Sequence, residues 1–295
     1  MTDAPGVPTL RDPVMVAAFE GWNDAGEAAS GAVEHLERVW GAVPLTALDP
    51  EDYHDFQVSR PQVHLDEDGG RRITWPTTRL TWARPPGSER DVVLVRGIEP
   101  SMRWRSFCAE LLGHADRLDV SLLVTLGALL ADVPHTRPIP VSTTTEDQRL
   151  LHKLAIEPSR YEGPTGIVGV LHDAARQGDL PGLSLWAAVP HYVGTTPSPK
   201  AMLALLRRVE ELLDVTVPLE ELPEDARAWE RGVDELAEED SEIGEYVRQL
   251  EQAKDTVDLP EASGEHIARE FERYLKRRDD DPGRPPGPAS GPSAI

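Results

Sequence analysis

Short apolar runs that alternate with segments of helical periodicity constrain this sequence more than any other feature. VMVAAF (14–19) runs into a Gly-containing loop, and DAGEAASGAVEHLERVW (24–40) follows with its apolar residues at helical spacing. The alternation repeats in DVVLVRG (91–97), the helical MRWRSFCAELLGHADRL (102–118) and the apolar VSLLVTLGALL (120–130). It repeats again in TGIVGVLHDAARQG (165–178), LSLWAAV (183–189) and PSPKAMLALLRRVEELLD (197–214). A strand that is apolar on both faces needs cover on both, so the pattern predicts an α/β fold with a mostly parallel sheet sandwiched by helices. Asp24 with Glu27 three residues later has the form of a capping box and sets the expected start of the first helix.

Two regions depart from this pattern. In HLDEDGGRRITWPTTRLTWA (64–83), Ile73 and Trp75 alternate on one side of turn residues and Leu80 and Trp82 on the other. A hairpin inserted in the sheet or at its edge is expected there. From Leu219 to Ala262 the chain carries 16 acidic residues against four basic ones. Within that stretch Leu222, Ala226, Trp229, Val233 and Leu236 recur at helical steps, as do Ile243, Val247 and Leu250. Ser263 is a good N-cap for a last helix bearing Ile267, Phe271, Tyr274 and Leu275 on one face. The expected organisation is a disordered start (1–12), an α/β core (13–216), an acidic appendage of three short helices (217–278) and a disordered Pro/Gly-rich tail (279–295).

The net charge of -22 argues against a nucleic-acid partner and against an anionic membrane surface, because like charges repel. No stretch reaches the roughly 18 apolar residues of a membrane helix, and the opening MTDAPGVPTLRDP lacks an apolar region of signal-peptide length. Cys108, the sole cysteine, excludes an internal disulfide and a multi-cysteine metal site. A cytoplasmic protein is expected, with Cys108 as a packed core thiol between Trp104, Leu111 and Leu112.

In open α/β sheets ligands bind beyond the carboxyl ends of the strands, which directs attention to four loops. EGWNDAG (20–26) offers Glu20, Trp22, Asn23 and Asp24 at a helix start, where free N–H groups favour an anion. It lacks the spacing of a dinucleotide fingerprint or a phosphate loop, and its two carboxylates repel anions. Capping is therefore the preferred role of Asp24 and packing that of Trp22, with ligand contact and interface anchoring as the alternatives. In RGIEPSMRWR (96–105), Glu99, Arg103 and Arg105 can bind a carboxylate or phosphate, against a local Glu99–Arg103 ion pair at i, i+4 spacing, which is preferred. LGALLADVPHTRP (126–138) and VPHYVG (189–194) contribute His135, Arg137, His191 and Tyr192. A histidine pair can serve as acid and base, but there is no nucleophile elbow and no zinc-ligand spacing. No residue is assigned a catalytic role, and no metal or cofactor is expected. The hydroxyl-rich VSTTT (141–145) reads as strand-end turn chemistry or a pocket lining. The acidic helices read as a solvated face, with a docking surface for a basic partner as the alternative.

FEGWNDAG, RGIEPSMRWRSF, LGALLADVPHTRP, YEGPTG, LSLWAAVPHYV followed by PSPKAMLALL, and LPEDARAWERGVDELAEED together resemble the proteasome assembly chaperone type 2 (PAC2) family in its actinobacterial branch. The resemblance covers about residues 12–278. It implies an α/β sandwich similar to the nucleoside phosphorylase type of fold, assembled as a homo-oligomer, with a trimer as one form. It also implies action through protein contacts, with proteasome subunits or another protein as partner, and supplies no catalytic residues to carry over. Archaeal relatives that dock on the proteasome end in a hydrophobic-Tyr-any motif, whereas this sequence ends in Ser293, Ala294 and Ile295, so tail insertion is not expected. The alternative is an enzyme or binder of a small anionic or nucleoside-like metabolite at the strand ends. A scaffold should have those loops plugged by side chains, and a metabolite site should leave a concave pocket.

Overall fold

The computed structural model describes residues 9–66, 69–159, 161–194 and 197–256. In chain order β1 (Val14–Glu20) leads through a 3-10 turn (Ala25–Glu27) to α1 (Ala28–Val39). Next come β2 (Val43–Ala47), α2 (Pro50–Tyr53), β3 (Gln62–Leu65), β4 (Arg71–Thr74), β5 (Arg79–Ala83), β6 (Val92–Ile98) and α3 (Trp104–Arg117). The second half comprises β7 (Leu122–Ala131), β8 (Val141–Thr144), α4 (Gln148–Leu154), α5 (Ile167–Gln177), β9 (Gly182–Pro190) and α6 (Pro199–Leu213). α7 (Leu222–Glu239) and α8 (Ser241–Thr256) follow.

Seven strands form one sheet in the order β2-β5-β6-β1-β7-β9-β8. The four central strands β6, β1, β7 and β9 are parallel, and β5 and β8 flank them in antiparallel sense. Successive residues of β1 alternate between two cores, as the two-residue period of a strand requires. Val14, Val16 and Ala18 pack with Ala29, Val33 and Leu36 of α1 and Leu205 and Leu206 of α6. Met15, Ala17 and Phe19 pack with Phe107 and Leu111 of α3 and Ile167 and Leu171 of α5. Each of the Val, Leu, Ile, Met and Phe side chains among them contributes about 1.5–3 kcal/mol by leaving water. Cys108 lies buried in the second cluster, and burial pushes its thiol up to about 11. Among the described residues no helix is long and apolar enough to cross a membrane.

The structure corrects several local expectations. The two arms of the expected 64–83 hairpin belong to different sheets. β3 and β4 pair through the Asp66–Gly70 turn as a separate two-stranded ribbon, while β5, with Leu80 and Trp82, joins the main sheet against β6. The turn sits at the Gly-Gly pair, where Gly69 takes a positive φ of 77°, and Pro76, with no N–H to give a ladder, separates β4 from β5. The first four residues of VSTTT are themselves the edge strand β8 rather than a turn after one. The acidic region holds two long helices of 18 and 16 residues, and the expected third helix and tail lie outside the described residues. Arg11 and Asp12, expected in the disordered start, are tied to the body. The Arg11 N–H donates to Asp91 at 2.9 Å, and Asp12 accepts from Arg90 Nε at 2.7 Å.

Candidate functional site

The carboxyl ends of β1, β6, β7 and β9 lie along one rim of the sheet. At β1, the chain turns through Gly21 and a 3-10 turn in which Gly26 and Glu27 adopt φ of 59° and 51°. That extra turn corrects the expected capping box: the Asp24 carboxylate reaches past Glu27 and accepts from the N–H groups of Ala29 and Ser30 at 2.7 and 3.1 Å and from Ser30 Oγ at 2.5 Å. Asp24 still satisfies the free N–H groups at the start of α1, so it occupies the position an incoming anion would take. Burial pushes its carboxyl above the ordinary range, and the three hydrogen bonds from Ser30 and Ala29 oppose that rise.

Glu99 does the same for α5. Its Oε1 accepts from Ile167 N at 2.8 Å, the first residue of that helix, and from Asn23 Nδ2 at 3.3 Å. Asn23 is buried and its backbone carbonyl accepts from Ala128 N at 2.8 Å, so one residue ties β1 to Glu99 after β6 through its side chain and to β7 through its main chain. Gly166 makes room for it: a Cβ there would lie 2.1 Å from Asn23 Nδ2. Burial raises the Glu99 carboxyl, with the Ile167 N–H opposing. Burial also raises Glu20; Arg96 draws it down, while Asp24, Glu27 and Glu34 push it further up.

The expected Glu99–Arg103 pair does not form. Arg103 has a left-handed backbone (φ 56°) as the N-cap of α3, so residues 99 and 103 never share a helix face. Its guanidinium pairs with Asp52 and lies 5.8 Å from the centroid of the Tyr53 ring. Tyr53 donates to Glu110, and burial first, then that bond, push its hydroxyl up to about 12. Trp22 is half-buried beside Asn23.

The other half of the rim, at β7 and β9, is closed by α7 and α8. His135 is wholly buried. The His135 backbone N–H donates to the Tyr192 hydroxyl at 2.8 Å, and that oxygen also lies 2.8 Å from His135 Nδ1. The opposite ring nitrogen, Nε2, is 3.0 Å from Asp234 Oδ1 on α7. One proton arrangement satisfies all three contacts: the tyrosine O–H donates to Nδ1, and Nε2–H donates to the carboxylate, which can only accept. Burial pushes the Tyr192 hydroxyl up to about 12, which keeps it a donor. His191 Nδ1 is 3.4 Å from Asp132 Oδ1, the same oxygen to which Tyr246 of α8 donates at 2.8 Å. The ring of Tyr246 meets that of His191 edge-on at 5.2 Å. Arg137 pairs with Glu251 of α8 at 3.2 Å, and Lys200 of α6 bonds Glu230 of α7 at 2.5 Å.

The structure therefore splits the ten residues singled out from the sequence. Asn23, Asp24 and Glu99 meet at one half of the rim with Trp22 beside them, and His135, Arg137, His191 and Tyr192 meet at the other. Glu20 faces a separate cleft, and Arg103 stands apart with Asp52. Sequence reasoning missed Asp132, Lys200, Glu230, Asp234, Tyr246 and Glu251, although the carboxylates among them on α7 and α8 were visible as an acidic run. Among the described residues no group of three or more His, Cys, Asp or Glu side chains is placed to hold a metal ion.

A mixed α/β sheet with the N-termini of α1 and α5 occupied by the chain's own carboxylates, and half its strand ends covered by a helical pair, defines a class of layered α/β proteins with a C-terminal helical cover. Within that class the chain belongs to the PAC2 family, whose profile it matches over residues 18–237. It is 64% identical to a PAC2 family protein from Streptomyces avermitilis, with a TM-score of 0.76 over 80% of this chain and 100% of that one. It is 54% identical to a proteasome-assembly chaperone homologue of Mycobacterium tuberculosis, with a TM-score of 0.72 over 79% and 99% of the two chains. An archaeal homolog of proteasome-assembly chaperone from Pyrococcus furiosus shares the fold at 16% identity, with a TM-score of 0.56 over 84% and 98%. No curated protein matches the chain.

Proposed function

We propose that this chain is a proteasome-assembly-chaperone-like protein of the cytoplasm that acts through protein–protein contacts as a homo-oligomeric scaffold. The observation that carries the reading is the closure of the rim at β7 and β9. Of the two histidines most suited to acid–base chemistry, His135 is fully inaccessible to a substrate and held by Tyr192 and by Asp234 of α7, and the half-buried His191 packs edge-on against Tyr246 of α8. At β1 and β6, Asp24 and Glu99 are likewise consumed in capping α1 and α5. Work done by such a molecule falls to its outer surfaces. Kinship with a proteasome-assembly chaperone homologue makes proteasome subunits the first partner to test.

Light scattering of the purified chain, followed by titration with purified proteasome α and β subunits from the same cell, tests this. A defined oligomer that forms a stoichiometric complex with a subunit, or that speeds its assembly, is the expected result. A monomer that neither binds the subunits nor alters their assembly overturns the reading.

A further inference from the structure

Between the β3–β4 ribbon and the end of β6 lies a cleft of about 220 Å³ whose walls include Glu20, Arg60, Gln62, Trp75, Arg79 and Arg96. Three guanidinium groups on one opening are unexpected in a chain of net charge -22. Arg79 and Arg96 are directly opposite each other in the antiparallel β5–β6 register, so both project from the same face of the sheet. Like charges directly opposed across a ladder destabilise it unless something of opposite sign is shared between them. Arg96 is partly offset by Glu37 at 3.0 Å and Glu34 at 3.6 Å, both on α1. Among the described residues Arg79 and Arg60 have no carboxylate partner, although acidic residues outnumber basic ones 52 to 30 in the chain.

The cleft is also built firmly. Gly97 in its floor touches the backbone of the Thr77–Thr78 segment so closely that a Cβ there would lie 2.6 Å from Thr78 Cα and 2.8 Å from Thr77 O. Thr77 Oγ1 donates to the carbonyl of Leu48 at 2.6 Å, fixing that segment to the end of β2. Trp75, 44% exposed, presents an aromatic wall braced edge-on by Phe56 at 4.9 Å between ring centroids. The volume is below the roughly 300–1,000 Å³ of pockets for drug-sized ligands and suits a head group or a very small molecule.

We propose that this cleft is an anion-binding site: Arg60 and Arg79 hold a carboxylate or phosphate group, Arg96 backs it, and the ligand's carbon skeleton lies against Trp75. Planar guanidinium forks bind both kinds of group through paired hydrogen bonds. Glu20 on the opposite wall accepts from a hydroxyl or amine carried by the ligand, which favours a small hydroxy or amino acid, or its phosphate ester, over a bare anion. The site is separate from the histidine half of the rim and needs no protein partner, so its test stands or falls apart from the assembly reading.

Calorimetric titration of the full chain with inorganic phosphate, phosphoserine and malate, at constant ionic strength set with chloride, is the direct test. Saturable binding at one site per chain is expected for at least one probe, and the tighter of inorganic phosphate and malate identifies the phosphate or carboxylate as the group recognised. Arg60→Ala and Arg79→Ala should each weaken it at least tenfold. Arg105→Ala, on the exposed face of α3, should leave it unchanged. Both cleft arginines are exposed, so their variants are expected to keep the wild-type melting temperature. No saturable binding of any probe above the chloride control, or equal binding by the Arg60→Ala/Arg79→Ala double variant, overturns the proposal.

Discussion

Replacing Tyr192 by Phe removes one oxygen atom and tests whether α7 and α8 are held onto the body as a distinct layer. That oxygen accepts from His135 N and donates to Nδ1 of the wholly buried His135. Its loss leaves one buried donor and one buried acceptor unsatisfied and frees the imidazole whose far nitrogen bonds Asp234 on α7. An unmade buried hydrogen bond costs about 1–3 kcal/mol, so a penalty of about 2 kcal/mol is a conservative expectation. The penalty should fall on the opening of α7 and α8, which reach this part of the rim through side chains. At about 1.4 kcal/mol per factor of ten, amide exchange in those helices should accelerate roughly thirtyfold. Hydrogen exchange read by mass spectrometry on peptides of α7, α8, β1 and β6 measures this. Unchanged exchange in α7 and α8 would refute the argument that the Tyr192–His135–Asp234 chain pins them. Equal acceleration in β1 and β6 would refute the idea that the layer opens separately.

Three further outcomes follow from buried groups. Gly166→Ala should destabilise the fold by about 1–3 kcal/mol, as overpacking does, because its Cβ collides with the Asn23 amide; Asn23→Ala in the same chain should recover part of the loss, readable as melting temperature. The half-buried His172 has Nε2 2.9 Å from Thr125 Oγ1, and the desolvation of its ring pulls its pKa down from 6.5 to about 4. The unfolded chain then takes up this proton before the folded one does, so its contribution to stability is complete above pH 6.5 and is lost as pH falls towards 4, at up to about 1.4 kcal/mol per pH unit. The raised carboxyls of Glu20, Asp24 and Glu99 act in the opposite sense, since protonation relieves their burial. The difference in urea stability between wild type and His172→Gln across pH 4–7 isolates the histidine, and a difference independent of pH would contradict it. Cys108, with its thiol pushed up to about 11, should resist alkylation at pH 8 in the native state and react fully in denaturant.

Legibility in the sequence tracked the range over which each structure is specified. The central strands and α1, α3, α5 and α6 were readable because periods of two and 3.6 residues are local. Asp24 was readable as a cap but not in its reach, because a 3-10 turn with Gly26 and Glu27 at positive φ intervenes before the helix proper. The i, i+4 spacing of Glu99 and Arg103 misled for the same reason: α3 begins at Trp104, and Arg103 has left-handed geometry. The partners of His135 and Tyr246 stand 99 and 114 residues away, beyond any window in which spacing carries information. Cross-strand placement of Arg79 against Arg96 depends on a register that only the assembled sheet defines.

The distribution of charge connects these features. A run of acidic residues usually marks a solvated face, yet here Glu230, Asp234 and Glu251 also reach Lys200, His135 and Arg137, Asp234 while still exposed. Asp24 and Glu99 turn inward as well, onto the N-termini of α1 and α5. Helix N-termini at the carboxyl end of a parallel sheet are the usual place for an anion. By filling two of them with its own carboxylates, the chain removes that option from β1, while further along the rim Arg60 and Arg79 share one cleft without a carboxylate partner among the described residues. An anion approaching this otherwise negative molecule is repelled from most of its surface, so the arginine cleft is where its potential favours capture.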